Sequence, residues 1–189
     1  KHKFRQSKGC FIVEGDKVVS ELLKSNWCIQ SMYITSDLAD AYIQTLTEKK
    51  IACEIISEAE MKKISALRNP SSVLAVVAQP YPVFDPAEQL KPGRYLLLDR
   101  IQDPGNMGTI IRLAHWFGVD AVFCAPESAD VFNQIVVQSS MGSLFFVPVF
   151  YTDLVYLIHH NRHINAFAGT LNGNDVHQVS FPSDFFLII

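Results

Sequence analysis

Prolines divide this chain before any other feature is needed. Pro80, Pro82, Pro86 and Pro92 all fall between Gln79 and Gly93. A proline ring fixes φ and removes an N–H donor. A run this dense therefore suits an extended connection, not the interior of a helix or strand. On both sides of it, apolar runs of strand length alternate with stretches of helical period, which predicts an α/β layer architecture in each half. The expected organisation is a small α/β unit at residues 1–78, a proline-rich linker at 79–93 and a second α/β unit at 94–189. Within the linker, Asp85 to Leu90 could form one helical turn.

In the first unit, strands are expected at Cys10–Glu14, Ser31–Thr35, Ile51–Ile56 and Val73–Ala78, the last of them rich in β-branched residues. Helices are expected between them at Asp16–Lys24, Leu38–Lys49 and Glu58–Leu67. In the second unit, Tyr95–Leu98 is apolar at every position, as in a parallel strand covered on both faces. Val119–Cys124, Leu144–Val149, His163–Thr170 and Phe185–Ile189 read as further strands, and Asn133–Ser140 and Leu154–Asn161 as helices. Ile110, Leu113, Ala114 and Phe117 are spaced as the core stripe of another helix, which Gly118 would end. The first residue is lysine, and a carboxylate at the end of a buried strand would be an unpaired charge beside a core. The natural protein is therefore expected to continue past Ile189.

Hydrophobic residues make up 49% of the chain and charged ones 19%, which excludes a disordered chain. The net charge of −3 supplies no overall pull towards nucleic acid, so any such contact needs a local patch. Lys1, Lys3, Arg5 and Lys8, with no acid among them, form one candidate patch with Arg68; the same run also reads as solvated terminal charge. Cys10, Cys28, Cys53 and Cys124 lack the spacing of a zinc or redox motif and read as reduced thiols of a cytoplasmic protein. No apolar run approaches the ~20 residues that span a bilayer. His159 and His163 are four apart, but no Glu follows the first and no third ligand is evident, so no metal site is expected. Ser139 and Ser140 precede Gly142 without the G-x-S-x-G elbow of a hydrolase. Trp116 and Phe117 read as packing residues rather than a base-stacking platform.

The stretch that carries chemistry is Asp99 to Gly118, DRIQDPGNMGTIIRLAHWFG. A buried strand runs through a loop directly into a helix, and in parallel sheets ligands bind at this carboxyl edge. Gly105 and Gly108 allow a tight turn and close approach to backbone. Arg112 lies about 200° around the helix from Ile110, off the core stripe, and can lean back towards the loop. Asn106 and Arg112 can then face one opening. Read from the residues alone, the loop could equally be a plain turn with Arg112 solvated. Neither the GxGxxG spacing nor a Gly-Lys-Ser/Thr phosphate loop is present.

Asp103-Pro104-Gly105-Asn106-x-Gly108-x-x-x-Arg112-x-Ala114-x-x-Phe117-Gly118 resembles the first motif of the SpoU (TrmH-like) branch of the SPOUT methyltransferases. Ser140-Met141-Gly142-Ser143-Leu144-Phe145, followed by Pro148, resembles a second segment of that family. Phe11-x-Val13-Glu14-Gly15 and Arg68-Asn69-Pro70 before Val73–Val77 resemble its RNA substrate-binding domain, which shares its fold with a small ribosomal protein. The resemblance covers nearly the whole chain. It implies a trefoil-knot type catalytic domain, a homodimer, and methyl transfer from S-adenosylmethionine to a ribose 2′-hydroxyl of rRNA or tRNA. By the same carry-over, Asn106 and Arg112 are catalytic, Thr170 and Leu171 edge the cofactor pocket, and Lys3, Arg5, Lys8 and Arg68 bind RNA. A guanidinium almost never loses its charge near neutrality, so stabilising an alkoxide or gripping a phosphate suits Arg112 better than acting as a base. The family's Gly-Asn-Glu-Gly and Ser-Leu-Asn motifs, which make most of the pocket, are not in this sequence. The 189 residues alone are therefore expected to bind cofactor poorly and to lack activity. The other reading the residues leave open is an RNA-binding relative without a cofactor pocket.

Overall fold

Each half of the chain builds its own sheet, and the two sheets differ in the way their connections demand. The structure is a computed structural model that describes residues 5, 7–80, 84, 85, 87 and 89–189. The first sheet contains β1 (Cys10–Glu14), β2 (Ile29–Thr35), β3 (Cys53–Ile56) and β4 (Val73–Ala78), in the order β1-β4-β2-β3. Strand β4 is antiparallel to β1 and β2, while β3 runs parallel to β2. Val73, Leu74, Ala75 and Val77 of this central strand are buried, as a strand covered on both faces requires.

Helices α1 (Asp16–Lys24), α2 (Ser36–Lys49) and α3 (Glu58–Ile64) cover this sheet. Helix α1 buries Val18, Val19, Leu22 and Leu23, the stripe its sequence predicts. In α2 the buried set is Ala39, Tyr42 and Leu46. A capping box starts α3: Ser57 Oγ accepts from the Glu60 N–H at 3.3 Å, and the Glu60 carboxylate accepts from the Ser57 N–H at 2.9 Å.

The second sheet is wholly parallel among the described residues. It contains β5 (Arg94–Leu98), β6 (Ala121–Cys124), β7 (Val149–Tyr151), β8 (Asn165–Ala168) and β9 (Phe185–Ile188), in the order β7-β6-β5-β9-β8. The chain steps outward from β5 to β7 through α4 (Pro104–Trp116) and α5 (Gln134–Ser139). It then crosses through α6 (Leu154–His160) to β8 at the far edge, and β9 inserts beside β5. Strand order therefore reverses between β5 and β9, and the carboxyl ends there form a topological switch point.

Two expectations are corrected. Leu144–Val149 is not one strand: Ser143–Phe145 is a 3-10 turn and β7 starts only at Val149. Met141 and Gly142, just before the run, have φ of 51° and 89°, so the chain enters it through a turn that the 3-10 segment continues. The stripe of α4 is also rotated. Met107, Gly108, Ile111 and Ala114 are buried, whereas Leu113, Trp116 and Phe117 are 50%, 84% and 65% exposed. Apolar spacing marks a face that avoids water; it does not say which apolar face the rest of this chain covers.

One continuous core runs through both halves. Phe11, Val13, Val19 and Met32 belong to the same buried cluster as Ile111, Val136, Leu144 and Phe145. Trp27 sits at the junction, its ring 5.8 Å from Phe11 and 5.4 Å from Phe145. A second cluster, with Leu97, Phe123, Leu157 and Phe186, lies on the other face of the parallel sheet. Linker residues Phe84 and Leu90 pack on it, and the Leu90 N–H donates to Asn161 Oδ1 at 2.7 Å. No helix is formed by the linker's described residues.

Candidate active site

The switch point is built from the residues that follow β5. The Asp99 N–H donates to the Ile189 carbonyl at 2.8 Å, which closes β5 against the end of β9. Arg100 follows with φ of 58°, a left-handed conformation that costs a non-glycine residue roughly 1–2 kcal/mol. Its guanidinium bonds the Asp99 carboxylate at 3.0 Å, which holds its pKa above the ordinary arginine value. The loop is fixed on its other side by the Ala129 N–H, which donates to Ile101 O at 2.8 Å.

Helix α4 then starts on Asp103, whose Oδ1 accepts from the Asn106 N–H at 2.7 Å, with Pro104 at the first helical position. Gly105 has no positive φ, so it is no turn glycine; a Cβ there would lie 3.1 Å from the capping carboxylate. Gly108 is where α4 touches α5. A Cβ at that position would meet the Val136 carbonyl at 2.5 Å and the Ser140 nitrogen at 2.9 Å.

Asn106 and Arg112 are both exposed on α4. Six residues of helix set them about 120° apart, one on each shoulder of the solvent face. Neither lines any of the described cavities. They are thus at the expected edge of the sheet, on different sides of the helix's solvent face. Beside them, α4 and β9 form an apolar groove of about 420 Å³ lined by Ile110, Leu113, Phe117, Phe185, Leu187 and Ile189.

Thr170 and Leu171 follow β8, two strands from β5, about 10 Å along the same edge. Both are exposed, Leu171 fully, and a Cβ on neighbouring Gly169 would meet nothing within 4 Å. Neutral backbone polar groups and an exposed leucine have the chemistry to hold an adenosyl group, and they fit one wall of such a site. None of the described cavities encloses that wall.

The expected RNA patch does not come together. Lys1 and Lys3 lie outside the described residues. Arg5 is a correction: its guanidinium pairs with Asp130 at 2.7 Å, and its side chain is only 18% exposed, so it staples the two halves together instead of facing solvent. Lys8 precedes the start of β1, while Arg68 lies beyond its other end, because β4 pairs Leu74 with Glu14 and Ala78 with Cys10. Both side chains are exposed, but a strand's length separates them. Two residues that stand out in the structure, Arg100 at this edge and the buried Glu14, enter the sequence analysis only inside longer motifs. Asp-Arg directly after a buried strand is a usable signal for the first; an acid ending an apolar strand is one for the second.

Residues 93–189 match the SpoU rRNA Methylase family, and residues 1–75 match an MRM3-like substrate binding domain. The chain is 34% identical over 148 residues to 23S rRNA (guanosine(2553)-2'-O)-methyltransferase RlmP of Bacillus subtilis, covering 78% of this chain and 56% of that protein. It is 29% identical to the mitochondrial rRNA methyltransferase 3 of Homo sapiens, over 77% of this chain and 36% of that one. Among solved structures, the AdoMet-bound rRNA methyltransferase of Sinorhizobium meliloti superposes with a TM-score of 0.83 at 25% identity, covering all of this chain and 72% of that one. The chain thus spans about half or less of the length of these two curated relatives.

Proposed function

Because the chain belongs to the SpoU rRNA methylase family, we propose that it serves S-adenosylmethionine-dependent transfer of a methyl group to a ribose 2′-hydroxyl of ribosomal RNA, as part of a 2′-O-methyltransferase. The observation that carries this reading is the placing of the family's first motif: a capped helix rises from the carboxyl edge of a parallel sheet at its switch point and presents Asn106 and Arg112 to solvent. The name of the Bacillus subtilis relative makes a large-subunit rRNA the first substrate to try.

When bound, S-adenosylmethionine supplies the electrophilic methyl group. The protein's own work is orientation and charge. Arg112 stays cationic, so it grips the phosphate beside the target ribose or stabilises the developing alkoxide. Asn106 offers an amide donor and acceptor to hold the ribose. Arg100, a second cation at the same edge, steers the backbone. Thr170 and Leu171 hold the adenosyl side of the cofactor, and the enclosing wall is to be sought in the length of the relatives that these 189 residues do not span.

Residues 1–78 form the RNA-recognition unit, residues 79–93 the linker and residues 94–189 the catalytic unit. Lys8 and Arg68 contact RNA phosphates at opposite ends of β1. A homodimer is supported by the apolar face of α4, where Leu113, Trp116 and Phe117 stand exposed beside the groove on β9. A cytoplasmic location agrees with four unpaired cysteines. No helix of the described residues is long and apolar enough to cross a membrane.

The test uses the full-length protein. Calorimetry with S-adenosylhomocysteine is expected to show binding, and radiolabelled methyl is expected to pass to an rRNA transcript at one alkali-resistant position. Arg112→Ala should lower kcat about a hundredfold or more while cofactor affinity holds, because a lost transition-state donor costs that much. Arg112→Lys should fail too if the planar fork matters. A wild-type protein that binds rRNA but neither cofactor nor methyl label would instead be an RNA-binding relative. Full activity in Arg112→Ala would remove Arg112 from catalysis.

A further inference from the structure

Glu14 ends β1 and is 1% exposed, yet no cation neutralises it among the described residues. Donors surround it from both halves of the chain. On the substrate-binding side, Ser65 Oγ donates to its Oε2 at 2.5 Å and the Ala66 N–H to its Oε1 at 3.1 Å. On the other side, Gln134 Nε2 of α5 donates to the same Oε1, and Gln138 Nε2 donates to the Glu14 carbonyl at 2.7 Å. A carboxylate accepts on both oxygens and donates on neither, which suits a position ringed by donors. Ser65 also accepts from the Leu67 N–H at 3.1 Å, so the turn leading to Arg68 hangs on this cluster. Helix α5, in turn, meets α4 backbone to backbone at Gly108, two residues after Asn106.

From these contacts we infer that Glu14 is a positioning residue: through Gln134 it holds the Arg68-Asn69-Pro70 loop in fixed register with the α4 edge. RNA gripped by Arg68 then presents its target ribose where Arg112 and Asn106 stand. This rests on the methyltransferase reading above. It adds that recognition and chemistry are joined by one buried carboxylate. Among the described residues Arg68 and Arg112 share no hydrogen-bond partner, and a rigid bridge of this kind would couple them.

Gln134 provides the test, since it lies on α5, outside both the Arg68 loop and the helix that carries Asn106 and Arg112. In the full-length protein, Gln134→Ala should cut kcat/KM for an rRNA transcript about tenfold, within the range of coupled neighbours. Calorimetric affinity for S-adenosylhomocysteine should not change. Arg68→Ala should then cost clearly less in the Gln134→Ala background than in wild type. Glu14→Gln keeps one acceptor for Ala66 and Gln134 and should retain most activity, whereas Glu14→Ala should resemble Gln134→Ala or worse. Equal costs of Arg68→Ala in both backgrounds would overturn the inference even with methyl transfer intact. If the wild-type protein transfers no methyl, the functional reading fails by itself; the same cycle is then read on rRNA affinity by filter binding, where additivity, or no binding at all, again overturns the coupling.

Discussion

Gly108 has no room for a side chain. The nearest atoms to an added Cβ include backbone of α5, the Val136 carbonyl at 2.5 Å and the Ser140 nitrogen at 2.9 Å, and backbone cannot rotate away. Gly108→Ala should therefore destabilise by roughly 2 kcal/mol through forced separation of the two helices. Urea denaturation would read this as a lower midpoint at unchanged slope; an unchanged midpoint would refute the contact. Sequence reasoning identified Gly108 as a close-approach glycine, but not what approaches, because Ser139 and Val136 lie some thirty residues away. Arg5 was less legible still, as its partner Asp130 is 125 positions distant. Cys124 makes the same point about burial. Loss of solvation pushes its thiol up to about 12. A raised folded pKa means that the stabilisation is complete below the ordinary thiol value and is lost as pH rises towards 12. At pH 8, iodoacetamide should modify exposed Cys28 and spare Cys124 until the chain unfolds; equal rates for the two would contradict the burial.

Element by element, the strands and most helices were legible because their patterns are local. Val73–Ala78 was read to its exact ends, and α5 and α6 to within a residue. What failed was local structure decided by distant packing: the 3-10 turn at Ser143–Phe145 and the face that α4 buries. The start of α4 shows how much of the candidate site is set by its own residues. Asp103 caps, Pro104 supplies a preset φ, and the first turn carries the exposed Asn106. Removing the cap with Asp103→Ala should cost about 1 kcal/mol, and Asp103→Asn or Asp103→Ser much less. Because Asn106 is the third helical residue, fraying there would loosen it more than Arg112, six residues on. Hydrogen exchange is expected to show faster amides at residues 106–108 in Asp103→Ala, with 111–114 unchanged. Uniform protection along the helix would mean that tertiary contacts, not the cap, hold the first turn.

At the scale of the molecule, the proline-rich linker suggests two bodies that could move independently, and the packing opposes that. Interfaces between domains of one chain are commonly polar, but here apolar residues of both sheets share one buried cluster. Around it stand the Arg5–Asp130 pair at 2.7 Å and the Glu14 network. Separating the halves would expose Phe11, Val136 and Phe145 together and strand a buried carboxylate. The two halves should therefore unfold as one unit. Trp27 is placed to report on this, since its ring packs against Phe11, Phe132 and Phe145 at the junction. Trp116, 84% exposed, would only add background and can be replaced with Phe. In Trp116→Phe, urea titrations followed by Trp27 emission and by far-ultraviolet circular dichroism should coincide in midpoint and slope. Phe132→Ala should move both curves together, by roughly 1–2 kcal/mol, since Phe132 is only partly buried. Were Trp27 released at lower urea than the helices, the junction would be a hinge. The rigid bridge from Arg68 to α4 would then have nothing to stand on.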